Sequence, residues 1–420
     1  MALHPYGNLA PFAEPAWYNS LRSPYYNESH RKLRKYVRDY LEEYVIPHVH
    51  EWEEAGGVPR EEQIRYSRAA LLSKICPPNI DEASVYHWDI FHFLVMHHEL
   101  SKIGSAGVLA ALGGGIAIGA PPIVHHGTDD QKDRFLSGIF SGETRLCLGA
   151  TEPTGGSDLA NLKTTAKKTT DGKAYIVNGH KKWITGAMTS THMTTAVSTG
   201  GPGAAGVSVH VVPLDAPGVT IRKIKNSGAN AGASAWVTME NVSVPVENLI
   251  GTENNGFKVL MTNFNVERLI ICVSMNSTAR VCLEDAWAYA MDRQTFGQPL
   301  FSHQVIRRKL ATLARYIESH WAWIEQLAYH AKDTGAVGPD LASRLALCKV
   351  HGGRLLELAN REAQQIFGGA AYQRGGVGGR VEQISRDLRM SIVGGGSEEV
   401  ITDLAMRQEM SQAQARGFKL

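Results

Sequence analysis

Between about Leu148 and Gly251 the chain changes character, and this change limits its fold more than any other feature. Before it, apolar residues recur at helical spacing. Leu33, Val37, Leu41 and Val45 sit four apart, an amphipathic stripe, and Thr128-Asp-Asp-Gln131 reads as a capped helix start with early acids. Within it, the segments are short, β-branched and broken by turns. Val207–Val212 and Trp236–Val244 alternate as half-buried strands do. Ala174–Thr185 carries Asn178-Gly179 between two strand-like runs, a strong hairpin signal. After it, long periodic runs return over Phe257–Arg293, His303–Thr334 and Pro339–Phe367, with a last amphipathic run after Ser397. The order predicts an α+β chain in four parts. These are an extension over 1–27, N-terminal helices over 28–147, a small antiparallel barrel or sandwich over 148–255, and C-terminal helices over 256–420.

At 420 residues the chain exceeds one compact core. A net charge of +2 gives no basic excess to point to nucleic acid or an anionic membrane. The cysteines, Cys76, Cys147, Cys272, Cys282 and Cys348, are odd in number and form no CxxC, so neither a disulfide scaffold nor a structural zinc site is expected. The start of the chain reads as neither a secretory signal nor a mitochondrial presequence. Ile103–Val124 has no charge but holds six glycines and Pro121-Pro122, and so reads as a buried helix followed by a loop rather than a membrane span.

No GxGxxG joins a strand to a helix as a Rossmann fold needs, and no P-loop is present. His48-Val-His50 and His97-His98-Glu99 lack metal-site spacing, and no metal is expected. Thr151-Glu-Pro-Thr-Gly-Gly-Ser-Asp158 reads either as an anion cradle or as a polar turn. Trp183 and Thr185 share one strand face, which suits a planar ring with a polar edge or simply an inward Trp. From Val259 to Ala279 the only charges are Glu267 and Arg268. Ten of the fifteen residues from Val259 to Val273 are apolar or Cys, so this helix is expected to be buried nearly all round. A carboxylate there is either functional or half of a buried salt bridge. Arg268 is a poor partner, since helical neighbours point about 100° apart.

Together these features resemble the acyl-CoA dehydrogenase family, over about residues 28–410. Thr151–Asp158 is similar to its TEPGAGSD signature, and Lys182-Trp-Ile-Thr185 to its WIT strand. Arg293-Gln-Thr-Phe-Gly297 is similar to its R-x-T-F-G, and Gln365-Ile-Phe-Gly-Gly369 to its Q-x-x-GG. Gly119–Lys132 resembles its helical lead-in. The resemblance implies an N-terminal helical domain, a central antiparallel β-barrel and a C-terminal four-helix bundle. It implies FAD held by Leu148, Ala150, Thr151, Gly156, Ser157, Trp183, Ile184 and Thr185, with Thr185 near flavin N5. Arg293, Phe296, Gln304, Gln365, Gly368 and Gly369 would reach the FAD of a neighbouring subunit, which makes a homo-oligomer, a tetramer of two dimers, part of the expectation. Ser397 and Glu399 would complete the cofactor set.

Most of the family carries its catalytic Glu on the loop after an Arg-Asp pair. Here Arg386-Asp387 leads to Val393-Gly-Gly-Gly-Ser397, and Gly395 falls at that place. The isovaleryl-like and long-chain-like branches move the base to the first bundle helix, where Glu267 falls. Ser157, Asn265, Arg268, Gly395 and Gly396 would meet the substrate, and a missing side chain at Gly395 would leave room for a branched or bulky acyl group. The implied activity is α,β-dehydrogenation of an acyl-CoA, with electron-transferring flavoprotein or oxygen as acceptor and no nucleic-acid or membrane partner. The alternatives are an oxidase or desaturase of the same fold on a specialised-metabolite or carrier-bound thioester, or a non-catalytic flavin-binding relative. Thr154 and Ala371 stand where the family has Gly, and Asn226–Ser234 lacks a customary Arg. Phe418-Lys-Leu420 resembles a degenerate peroxisomal signal, against a cytoplasmic alternative.

Overall fold

A computed structural model describes residues 7–69 and 88–418, so Cys76 and the terminal Lys419-Leu420 lie outside the described residues. The chain forms two compact units. A helical unit takes Met1–His50, Ser84–Ala106 and Asn265–Leu420, and a sheet unit takes Glu51–Ala83 and Gly107–Phe264. The N-terminal helical region thus contributes to both. The longer helices are α1 (Glu28–Tyr44), α2 (Ile90–Ser101), α3 (Asp129–Ser141), α4 (Gly256–Asp292), α5 (Gln304–Thr334), α6 (Ala342–Phe367), α7 (Gly379–Val393) and α8 (Glu398–Ala415). The main sheet contains β1 (Leu146–Gly149), β2 (Thr165–Lys168), β3 (Ala174–Ile184), β4 (His192–Ser198), β5 (Val207–Pro213), β6 (Val219–Lys223), β7 (Ala235–Pro245) and β8 (Leu249–Ile250).

In the helical unit, α1 buries Leu33, Val37 and Leu41, the stripe read from the sequence. The helices α4, α5, α6 and α7 share one core through Met275, Leu283, Leu313, Ile317, Leu356 and Val381. α8 packs on α6 through Ile401, Ala405 and Ala346. α4 is buried on nearly all sides only in its middle, polar Asn276, Ser277 and Arg280 included, whereas its first turns, expected to be buried all round, leave Lys258 and Thr262 exposed and residues 264–267 half-buried. The extension is tied into this unit rather than trailing from it. Glu14 is buried among Arg34, Arg38, Lys102 and His98. Arg280 donates to the carbonyls of Phe12 (2.9 Å) and Glu14 (3.2 Å), and Lys102 to that of Ala13 (2.9 Å). Burial alone would raise the Glu14 carboxyl, but Lys102 and Arg34 outweigh it and hold the group well below the usual range.

In the sheet unit the strand order is β6-β7-β3-β2-β4-β5-β8, with β1 added in parallel to β4. The path is open, so the expected barrel is not closed. Asn178-Gly179 is not a hairpin turn either. It lies inside β3, where pairing with β7 shifts register between Val177 and Gly179. A Cβ on Gly179 would stand 2.6 Å from Thr164 Cα, and the glycine has φ +147°. The bulge therefore uses the same permissive residue that a tight turn would. The turn joining β2 to β3 runs through Asp171-Gly172, with φ +72° at the glycine.

The uncharged run is helical over Ala106–His126, and 78% of its most apolar window is buried within the protein. The expected loop is absent because Pro121 and Pro122 occupy the first turn of Pro121–His126, where a missing N–H costs nothing. Gly119 lets the run lie on β1, since a Cβ there would meet the Cys147 carbonyl at 2.8 Å. Thr194 Oγ1 donates to Gly119 O at 2.6 Å.

Candidate functional site

The signature loop follows β1. Glu152 at its start is buried, and its carboxylate accepts from the N–H groups of Lys163 (2.6 Å) and Thr164 (3.0 Å) and from Lys181 Nζ (2.8 Å). Lys181, in β3, is fully buried, and burial lowers its pKa to about 8 against the pull of Glu152. Lys182 N–H donates to Thr151 O at 3.0 Å. The loop is thereby fastened to the end of β3. Beyond the anchor, Gly156 and Ser157 are exposed, and a Cβ on Gly156 would meet nothing within 4 Å. Their N–H groups have no hydrogen-bond partner among the described residues. Leu148 and Thr151 are half-buried and Ala150 is buried.

β3 ends in a second bulge between Lys181 and Ile184. It sets Trp183 at φ +65°, a left-handed conformation a tryptophan rarely adopts, and leaves its ring 52% exposed. Lys182 Nζ lies 4.7 Å from that ring. Ile184 is buried and Thr185 half-buried, its hydroxyl without a partner among the described residues. An open indole face, two unengaged amides and the Ser157 and Thr185 hydroxyls suit a flat heteroaromatic group with a polar edge, so the residues present fit a flavin.

In the helical unit, Glu267 is half-buried on α4. Arg268 Nε donates to Gly395 O (3.2 Å) and its Nη1 to Asn265 Oδ1 (3.2 Å). Burial lowers the Arg268 pKa and Glu267 partly offsets this. The Asn265 amide donates to Gly338 O at 2.8 Å. Gly395 and Gly396 have φ +68° and +108°. A Cβ on Gly395 would stand 2.7 Å from Ile271 Cδ1. Ile271, one turn beyond Glu267, thus borders the place where a side chain at position 395 would begin. Ser397 precedes α8; Glu398 belongs to that helix and pairs with Arg354, and Glu399 is exposed.

The residues expected to reach a neighbour gather at one end of the bundle. Tyr289 on α4 stacks on Phe367 of α6 (4.4 Å between centroids), bringing Arg293 and Gln365 to that end. Phe296 and Gly297 form a two-residue turn with φ +50° and +75°. Phe296 is 96% exposed, and Arg293, Gln304, Gln365, Gly368 and Gly369 are exposed as well.

Sequence reasoning gave no role to Glu152, Lys181 and Lys349, whose partners lie far off along the chain. Three groups of potential metal ligands also come together among the described residues. Glu14, His98 and Glu99 are surrounded by Arg34, Arg38 and Lys102, and Asp89 with His30 and His92 already takes Lys332 (2.8 Å). In the third, Cys272, His320 and Cys348, His320 Nε2 lies 3.1 Å from the Cys348 carbonyl.

Comparison with known proteins agrees along most of the chain. Family models match for the acyl-CoA dehydrogenase N-terminal domain (residues 27–143), middle domain (147–242) and C-terminal domain (254–410). Acyl-CoA dehydrogenase AFT10-1 of Alternaria alternata is 43% identical over 96% of both chains. Acyl-CoA dehydrogenase apdG of Emericella nidulans is 40% identical over 98% of this chain and 97% of its own. The crystal structure of an acyl-CoA dehydrogenase from Geobacillus kaustophilus superposes with a TM-score of 0.83 at 28% identity, covering 92% of this chain and 99% of that one.

Proposed function

The chain belongs to the acyl-CoA dehydrogenase family, and on that premise we propose that it is an FAD-dependent oxidoreductase whose catalytic base is Glu267. The observation that carries the base is the packing of Gly395. A Cβ at the usual loop position, where the backbone has φ +68°, would press on Ile271 Cδ1 at 2.7 Å, and Glu267 lies one helical turn from that isoleucine.

In this reading Glu267 takes the α-proton of an acyl-CoA thioester. A hydride leaves the β-carbon and the product is the trans-2-enoyl-CoA. Bound FAD supplies the hydride acceptor. The chain's residues hold and orient. The Glu152–Lys181 pair fixes the signature loop, Gly156 and Ser157 offer backbone donors, Trp183 presents a ring face, and Thr185 a hydroxyl. Arg293, Phe296, Gln304, Gln365, Gly368 and Gly369 would engage a second copy in a homotetramer. A branched or bulky acyl group remains part of the proposal. It rests on the base position shared with the isovaleryl-like branch, and open volume at Gly395 gives it no support.

The test is anaerobic bleaching of the purified yellow protein by straight and branched acyl-CoAs. Bleaching by at least one of them is expected. Colourless protein that takes up no FAD, or a flavin no thioester bleaches, would sink the reading. Reoxidation by air or by electron-transferring flavoprotein then names the acceptor.

A further inference from the structure

Two buried cations close on the triglycine loop that follows α7. Lys349, on α6, is 2% exposed, and its Nζ donates to Ile392 O and to Gly396 O, the latter at 2.8 Å. Arg268, on α4, donates to Gly395 O between them. Carbonyls at positions 392, 395 and 396 are thus each capped by a charged donor. The loop itself is stiffened by packing. The Cβ positions of Gly395 and Gly396 are filled by Ile271 and Ile401, so each glycine sits close against a neighbour.

A buried lysine is costly and needs a compensating role. Burial pulls the Lys349 pKa down to about 8, and the nearby Arg268 adds to this while the Cys272 thiol opposes it. The two like charges lie near one another, and each donates to backbone carbonyls at the same loop. Their common target is the backbone lying against the turn of α4 that begins at Glu267.

We infer that Lys349 is a positioning residue for the dehydrogenation: with Arg268 it pins the Gly394–Gly396 loop against the Glu267–Ile271 turn, and through that loop it fixes the wall beside the base. The inference rests on the proposed role of Glu267, but its structural half can be tested without turnover.

Lys349→Met keeps most of the length and removes charge and donors, and Lys349→Gln restores an uncharged, shorter-reaching NH2 donor. In the FAD-loaded protein, amide exchange in the peptide covering Ile392–Ser397 should be faster in the Met variant and intermediate in Gln. Flavin reduction by the best acyl-CoA should slow by about ten- to a hundredfold in Met, the scale of a displacement of about 1 Å, and less in Gln. Reduction by dithionite should not change. Unchanged exchange overturns the inference, as does reduction by acyl-CoA within about twofold of the parent, even if the melting temperature falls. If the Met variant does not fold, the Gln variant decides on the same readouts. A parent enzyme that no thioester bleaches fails the proposed function, and the exchange arm still decides whether Lys349 holds the loop.

Discussion

Lys181 Nζ sits 2.8 Å from Glu152 Oε1 with both side chains out of water, and this pair joins the glycine-rich loop to the strand that carries Trp183. Removing one member strands the other charge. Glu152→Ala should cost roughly 3–5 kcal/mol, whereas a Glu152→Leu, Lys181→Met double variant should recover much of that loss. The single variant should also hold FAD more weakly, since its loop is released. Thermal melts and the visible absorbance of the bound flavin report both. A loss below about 1 kcal/mol would show that the pair is not what fastens the loop.

The extension makes a comparable claim on stability. Glu14 balances Arg34, Arg38 and Lys102 in the interior of the helical unit. Glu14→Gln preserves shape and removes the charge, and should destabilise by roughly 3–5 kcal/mol in urea titration. A midpoint unchanged from the parent would mean that water or rearrangement satisfies the cations.

Four buried histidines set an acid limit. Burial lowers His97 and His320 to about 3 and His98 and His210 to about 4. Unfolded, each titrates near 6.5, so below that value the unfolded chain binds protons that the folded chain refuses. Their stabilising effect is whole above about pH 6.5 and drains away as pH falls toward about 4, at roughly 2 kcal/mol per histidine by about pH 5. His210 isolates the effect. Its ring nitrogens have no partner among the described residues, and it meets Tyr175 edge-on at 4.5 Å. His210→Phe should flatten the fall in melting temperature between about pH 7 and pH 5. An equally steep fall in that variant would locate the acid sensitivity elsewhere.

Local periodicity made much of this legible in the sequence. The α1 stripe and the Thr128 cap needed only neighbours within a turn, and both stand as read. Asn178-Gly179 misled because a bulge and a tight turn ask for the same permissive backbone, and only the partner strand β7 distinguishes them. Closure of the sheet depends on which edges meet, and no local pattern encodes that. Glu152 and Lys181 lie 29 positions apart, and each alone looks like a solvated charge. Glu267 was visible because α4 surrounds it with apolar residues, whereas the clash of a side chain at position 395 with Ile271 exists only in three dimensions.

The turn at Phe296 should report assembly. A phenylalanine 96% exposed at φ +50° is strained and unsheltered within one copy. Arg293→Ala and Phe296→Ala should lose FAD and subunit association together, by light scattering and flavin content. A parent protein that is monomeric and fully flavinylated would overturn the expectation that a second copy completes the cofactor site.

Glu267 decides the chemistry. Glu267→Gln keeps volume and hydrogen bonding but cannot accept a proton. It should retain FAD and fold, and slow flavin reduction by the roughly 10²–10⁴-fold that a general base supplies, or more. A purely structural carboxylate predicts the reverse, a protein several kcal/mol less stable with reduction largely intact. Stopped-flow bleaching and thermal melting of one variant separate the two. Moving the carboxylate to the loop, Glu267→Gln with Gly395→Glu, should not restore activity. The new Cβ would press on Ile271 at 2.7 Å and leave the φ of +68° for a residue that resists it. Recovery to near the parent rate in that double variant would mean that the loop can move aside, and would remove the packing argument for placing the base on α4.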